Sequence, residues 1–337
     1  MMLKSSRTRL LPADIGIDFG TANTLVVERG SGVVFDEPSI CCFHAQSSIR
    51  RFVAAGNEAS RFVGRVTKPL EMVRPLRNGV LSEMNAAREL LRFATQGQRR
   101  SWRLSRPHVM IGVPADATDA ECRALKTAAL DAGLSEPQLV SEPLLSAIGT
   151  SLDIDQPRGR MILDCGAGTT EVAVISLGKI CVSQSVRGGS EALDRALADR
   201  LHLSHRFHIG TATAERLKLD LLSALDCGDT DRMLEIRGLD AAMGMPKVIT
   251  VRAGELAPIW EKKADTVVRA VRAALAETPP ELSQDILEDG IVVTGGAATT
   301  GLLARRIAEA TGVPANVADS PLRSVAAGLG KLLDQGR

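Results

Sequence analysis

The sequence predicts an α/β protein of two lobes, and three observations carry that expectation. An apolar run ending in Asp-x-Gly-x-x-x-Thr, followed by a β-prone run, occurs twice: "DIGIDFGTANTLVVERG" at Asp18 and "RMILDCGAGTTEVAVIS" at Asp164. In both halves, compact apolar runs precede stretches with helical apolar spacing, the pattern of packed strand and helix layers. With 337 residues and 45% hydrophobic content, the chain can give each half its own core.

The elements follow in order. Ile15 to Phe19, Thr24 to Glu28, Gly32 to Phe35 and Ser39 to Phe43 read as short strands between glycine turns, a meander of hairpins. "SEMNAARELLRFATQ" places Met84, Ala87, Leu90, Leu91 and Ala94 on one helix face, with Ser82 as its cap. "HVMIGVP" is a strand, and "ATDAECRALKTAALDAG" a helix capped by Thr118 and ended by Gly133. "PQLVSEPLLSAIGTSL" repeats strand into helix just before the second hairpin. Beyond it, "GSEALDRALADRLHL" and "TATAERLKLDLLSAL" are helical, and "MLEIRGL" and "KVITVRA" strand-like. A long helix from Glu255 to Glu277 stops at Pro279 and Pro280, and "DGIVVTGGAATTGLLARRIAEATG" closes the series as strand, glycine turn, helix.

Composition excludes several classes. A net charge of +1, from 41 basic and 40 acidic residues, provides no field to draw the chain onto nucleic acid. Aromatic residues make up 3% and Tyr is absent, so platforms for stacking bases are lacking and no nucleic-acid partner is expected. Six cysteines without a C-x-x-C pair fit neither a zinc site nor a disulfide framework, and suit a reducing cytoplasm. No run reaches the ~18 apolar residues of a spanning helix. "MMLKSSRTRLL" lacks the apolar core and cleavage site of a signal peptide, so neither secretion by that route nor membrane integration is expected.

The repeated hairpin has a chemical reading. A glycine turn lets the backbone approach a ligand and leaves N–H groups pointing at an anion in the concavity. The first turn offers Gly20, the Thr21 hydroxyl and the Asn23 amide; the second offers Gly166, Gly168 and the hydroxyls of Thr169 and Thr170. Asp18 and Asp164 end their strands where a carboxylate facing phosphates would hold hydrated Mg²⁺. A single glycine turn is more often only a turn. Two in separate halves could grip the β- and γ-phosphates of a nucleotide from opposite sides, and Thr294 to Ala298, after an apolar strand and opening a helix, adds a third.

These residues carry a resemblance spanning nearly the entire chain. "IGIDFGTANTLVV", "EPLLSAIG", "DCGAGTTEVAVISLG", "GTATAERLK", "TPPELSQDILEDGIVVTGG" and "ADSPLRSVAAGLGKLL" resemble, in order, the actin-like ATPase superfamily and within it the bacterial rod-shape family MreB. The resemblance implies an actin-like ATPase fold, two α/β lobes each with a smaller subdomain around a nucleotide cleft. It implies a basic amphipathic segment at 1–12 and a first lobe at 13–146 with an insertion at about 32–67. A second lobe at 147–317 has a helical insertion at about 183–251, and 318–337 returns to the first lobe.

ATP and Mg²⁺ are the implied cofactors. Asp18, Gly20, Thr21, Ala22 and Asn23 would serve the first phosphate loop, and Asp164, Gly166, Ala167, Gly168 and Thr169 the second, with both aspartates reaching the metal through water. Gly295, Gly296, Ala297 and Ala298 would form the adenosine loop, and Glu215, Arg216, Leu217 and Lys218 would reach ribose and adenine. On the residues alone, Glu215 and Lys218 read first as a solvated pair on a helix surface. Glu142, with Thr169, would serve catalysis by orienting a water in line with the γ-phosphate; its alternative is a helix-start acid facing the dipole. Hydrolysis would be slow, a timer for filament turnover.

The implied function is a filament at the inner membrane that guides peptidoglycan synthesis, with further copies of itself and membrane proteins of the wall-elongation machinery as partners. "MMLKSSRTRLL" and the Trp102 and Leu104 loop among arginines are candidate membrane contacts, each marginal alone and stronger together in a polymer. Alternatives are plasmid or organelle positioning by an actin-like filament, a superfamily kinase, and a chaperone-type ATPase, which would need a further domain past Arg337. "DCGAGTT" in place of Gly-Gly-Gly, "VRGGSEALD", "SEP" and "GGAA" depart from the family pattern. They point to a divergent member, and Ala167 raises the question whether its methyl restricts the loop or crowds the phosphate.

Overall fold

The computed structural model describes residues 14–46, 49–97 and 107–335. The basic N-terminal segment and the Trp102 and Leu104 loop, both expected to touch a membrane, lie outside the described residues. β1 (Ile15–Phe19), β2 (Asn23–Glu28) and β3 (Gly32–Pro38) form the antiparallel meander. The expected fourth strand leaves it. β4 (Cys41–Gln46) pairs instead with β5 (Ile49–Ala55) and β6 (Leu70–Val73) in a separate small sheet beside the short α1 (Gly56–Ser60). Because β3 stays with β2, the small sheet begins at Cys41, later than the insertion expected at about 32–67. The break comes at Ser39, whose buried hydroxyl and amide are tied back to the first glycine turn.

β7 (Leu76–Arg77) and β8 (Val80–Leu81) make a tight hairpin whose turn residues Asn78 and Gly79 have φ of 51° and 76°. Asn-Gly is the pair that tolerates this left-handed turn. α2 (Met84–Ala94) follows with Glu83 at its N-cap. Ser82 does not cap it; its hydroxyl donates to the carbonyl of Pro75 at 3.2 Å. β9 (Val109–Val113), α3 (Asp119–Asp131), β10 (Gln138–Ser141) and α4 (Glu142–Gly149) complete this half, with Thr118 and Glu121 capping each other across α3's first turn.

The second half repeats the plan. β11 (Arg160–Cys165), β12 (Thr169–Ser176) and β13 (Lys179–Arg187) form its meander. α5 (Ser190–His205), β14 (Phe207–His208), α6 (Thr211–Asp226), β15 (Met233–Asp240) and β16 (Pro246–Arg252) build a small unit around Leu197, Phe207, Leu221 and Ile236. β13 remains in the large sheet, so this unit starts at Ser190, seven residues after the expected 183. Then come α7 (Ala253–Glu277), α8 (Pro280–Asp289), β17 (Ile291–Thr294), α9 (Leu302–Thr311), β18 (Ala315–Val317) and α10 (Ser324–Asp334).

The large sheets run β3-β2-β1-β9-β10 and β13-β12-β11-β17-β18, the same order with the same sense of pairing. Strand alternation gives each sheet two buried faces. Ile15, Ile17 and Phe19 pack toward α2 and α3, and Met161, Leu163 and Cys165 toward α7 and α9. On the opposite faces, Leu25, Val27 and Met110 meet α10, while Ile162, Ala173 and Ile175 meet α4. α4 therefore touches both sheets, with Leu145 on the first and Ala147 on the second.

α4 and α10 cross with their backbones in contact. A Cβ on Gly149 would fall 1.9 Å from the Ser324 carbonyl oxygen, and one on Gly328 would fall 2.0 Å from that of Leu145. Only glycine permits this approach. Lys331 on α10 then caps α4, donating to the carbonyls of Ile148 and Gly149 at 2.8 and 3.0 Å.

Candidate functional site

Between the lobes lies a cavity of about 540 Å³, within the range of small-molecule sites. Its floor is the two hairpins, which share one register: Asp18 faces Leu25 and Phe19 faces Thr24; Asp164 faces Glu171 and Cys165 faces Thr170. Gly20, Thr21, Ala22 and Asn23 line one side, and Gly166, Ala167, Gly168 and Thr169 the other.

The second loop shows why its N–H groups are free for a ligand. The carbonyls of Gly166, Ala167 and Gly168 accept from the amides of Ser190, Glu191 and Gly188 at 2.9, 3.0 and 2.7 Å. In a trans peptide the N–H points opposite to the C=O. The amides of Ala167 and Gly168 are therefore turned away from the start of α5. Lys263 of α7 steadies this arrangement by donating to the Gly188 carbonyl.

Ala167 does not have positive φ, so its methyl costs no backbone strain. The position that demands glycine is Gly168. A Cβ there would lie 2.2 Å from Thr21 Oγ1 and 2.5 Å from Gly79 N, because first loop, second loop and Asn78-Gly79 turn meet at that point. The expected constraint in this loop thus lies one residue further on than the sequence pattern suggested.

Four carboxyls gather behind the loops: Asp18, Glu142, Asp164 and Glu171. Burial pushes Asp18 up to about 7, with Asp164 and Asp36 adding repulsion. Burial likewise pushes Glu142 well above the carboxylate range, with Glu171, Asp18 and Asp164 adding to it. Glu171 rises to about 8, again mainly by burial, against the pull of the Ala115 amide that donates to it at 2.6 Å. Asp164 is raised by burial and held back by the Ser146 hydroxyl. Crowded carboxylates facing a cleft favour a bound cation.

Glu142 stands at the first position of α4, ahead of Pro143, and lines the cavity with Asp18 and Asp164. The structure thus brings the proposed water-orienting acid to the same cavity as both loops. At the third loop, Gly295 has φ of 86°, and a Cβ there would lie 2.3 Å from the Cys165 carbonyl oxygen. Gly296–Ala298 form one 3₁₀ turn, and α9 begins only at Leu302, so this loop does not open directly into a helix as expected. Gly295, Gly296 and Ala297 line the cavity, while Ala298 is buried beneath it.

On α6, Glu215 and Lys218 line the cavity. Leu217 instead faces the core of the small unit, one helical step away, and Arg216 is exposed outside the cavity lining. Lys218 is buried and bonds Asp194 of α5 at 3.0 Å, so the expected surface pairing with Glu215 is replaced by a bond across two helices. Sequence reasoning passed over Asn78, Gly79, Ser146, Glu171, Arg187 and Lys263. The Asn-Gly turn carried a readable hairpin signal; the others are placed by tertiary contacts that no local pattern encodes.

Two α/β lobes with duplicated hairpins closing on a shared cleft define the actin-like class. The family described as MreB/Mbl protein matches residues 12–337. The chain is 38% identical over 336 residues to the cell shape-determining protein MreB of Escherichia coli (strain K12), covering 99% of this chain and 96% of that protein. It is 35% identical over 321 residues to the cell shape-determining protein Mbl of Bacillus subtilis (strain 168), covering 95% and 96%. The fold matches MreB5 of Spiroplasma citri bound to ADP with a TM-score of 0.86 at 30% identity, covering 94% of this chain and 95% of that one. It also matches a chain of the MamK double helical filament with a TM-score of 0.74 at 20% identity over 94% and 97%, a likeness of fold alone. The chain belongs to the MreB/Mbl family.

Proposed function

We propose that this chain is an ATP-binding, actin-like cytoskeletal protein whose filaments lie against the inner membrane and guide peptidoglycan synthesis, and so cell shape. One observation supports this above the rest: two hairpins of identical register, one from each lobe, place glycine loops and paired aspartates on a single cleft. MreB5 of Spiroplasma citri, 30% and 29% identical to this chain, has been solved with ADP and with AMPPNP.

The loop amides at 20–23 and 166–169 are the donors for phosphate, with Lys218 and Glu215 on the ribose and base side and Gly295 to Ala297 beneath it. The donor set fits Mg²⁺. Asp18 and Asp164 are buried hard oxygen ligands, with Asp18 further raised by the neighbouring Asp164 and Asp36, and a hydrated divalent ion would relieve that repulsion while neutralising phosphate. Glu142 would fix the orientation of a water beside the terminal phosphate, and Thr169 would support the same end of the cleft. Closure of the lobes around nucleotide would set the protomer shape that polymerises.

Pelleting purified protein with Mg-ATP, with and without anionic liposomes, tests the reading. Wild type is expected to sediment with nucleotide, and more completely with lipid, while Asp164→Ala stays soluble. Absence of sedimentation in every condition would end the filament reading. In the same tubes, Glu142→Ala should cut phosphate release at least ~10-fold without abolishing nucleotide binding; unaltered release would remove the proposed role of Glu142.

A further inference from the structure

Ser146 lies fully buried in α4, one turn beyond Glu142, and its hydroxyl donates to Asp164 Oδ2 at 2.5 Å. Positions i and i+4 share a helix face. A single rigid helix therefore presents the Glu142 carboxyl at its first residue and grips the Asp164 carboxyl one turn later. The two acids come from opposite sides of the cleft's architecture: Asp164 ends a strand of the second sheet, whereas Glu142 follows directly from β10 of the first.

The helix is also held along its length. Its far end is capped by Lys331, whose ammonium meets two carbonyls and the Ser151 hydroxyl at 2.7 Å, and the Gly149 and Gly328 contacts set its distance from α10. Leu145 and Ala147 seat it on both sheets. A helix so held cannot shift at one residue without shifting at the next turn.

We infer that Ser146 is a positioning residue that couples α4 to Asp164, so that α4 sets the placement of the metal-facing carboxylate together with that of Glu142. This rests on the nucleotide and Mg²⁺ reading above. Three of the four clustered carboxyls line the cavity, and Ser146 is the side-chain hydroxyl that holds Asp164 from the helix side. With the hydroxyl removed, the Asp164 side chain keeps its backbone position and the Thr294 contact, but loses the bond that ties its Oδ2 to α4.

The test is equilibrium binding of a fluorescent ATP analogue to the 337-residue chain, in EDTA and across a Mg²⁺ titration. The quantity read is the ratio of affinities with and without Mg²⁺. Ser146→Ala should lower that ratio at least ~5-fold and move the Mg²⁺ midpoint upward to match. Ser146→Cys, which keeps the volume but donates poorly, should follow Ser146→Ala in Mg²⁺ dependence while melting with wild type. A wild-type ratio in both variants would overturn the inference, as would a Cys variant matching wild type, since packing alone would then account for the serine. Failure of the wild type itself to bind the analogue would overturn the nucleotide reading and this inference with it, and only that outcome appears in the wild-type arm.

Discussion

In the first hairpin Asp18 stands opposite Leu25, and in the second Asp164 stands opposite Glu171, at the same position of the same register. Leu25 packs with Val27, Leu145 and Leu329 in the layer under the first sheet. Glu171 sits at the corresponding place under the second sheet, but its carboxylate crosses to the first lobe and takes the Ala115 amide. The bracing differs too. Side-chain hydroxyls hold the first loop, with Ser39 donating to the Gly20 carbonyl at 2.6 Å and sharing a 2.8 Å bond with Thr24. Backbone amides at the start of α5 hold the second. One device has thus been put to two uses: the first loop is anchored within its own lobe, and the second carries the contacts that join the lobes.

The sharpest way to break this asymmetry is Gly168→Ala. The added carbon would collide with Thr21 and with the Gly79 amide, so the lobes must part to admit it. Overpacking of this kind costs about 2 kcal/mol, which predicts a loss of nucleotide affinity on the order of 30-fold by titration calorimetry. The matched change in the same loop, Gly166→Ala, meets its nearest neighbour only at 3.4 Å and should lose less than ~3-fold. Equal losses from the two would mean that the second loop is not the joining one.

A smaller effect is expected at the joining contact itself. The Asn78 side chain accepts from Arg195 at 3.0 Å, and its carbonyl accepts from Arg187 at 3.4 Å, both from the second lobe. The Arg195 bond is exposed and the carbonyl bond survives any side-chain change, so Asn78→Gly, which also tolerates the left-handed turn, should speed nucleotide dissociation only about 2- to 3-fold. In a double-mutant cycle Arg195→Ala should add little to it. Stopped-flow release of a fluorescent nucleotide reads both; fully additive effects would show that the two residues do not act through one contact.

These cases also show which parts of the molecule a sequence can reveal. The hairpins, the strand-helix alternation and the cleft loops were legible because they rest on local signals: apolar periodicity, glycine turns and the Thr118 cap. The path of β4 was not, because Ser39 redirects the chain through bonds to a turn formed 19 residues earlier. Ser82 looked like a cap, yet Pro75 claims its hydroxyl. Lys218 was legible as a charge and not as a buried one, since Asp194 reaches it from another helix. Roles set by a neighbour distant in sequence leave no trace in spacing.

The smallest expected effect concerns the residue that made the second loop look unusual. Ala167 is the alanine in Gly166-Ala167-Gly168, and restoring glycine there tests whether its methyl restrains the loop or crowds a phosphate. Its backbone is not left-handed, so glycine gains no permitted conformation that the fold needs. Glycine would instead add freedom to the unfolded chain, costing about 0.5–1 kcal/mol, or a fall of ~1–2 °C in melting temperature. Nucleotide affinity should stay within ~2-fold, because the loop's shape is already fixed by the Ser190, Glu191 and Gly188 amides on its carbonyls. A tenfold tightening in Ala167→Gly would reverse this assignment, placing the methyl against the ligand and making Ala167, more than Gly168, the residue that limits how closely this loop approaches a phosphate.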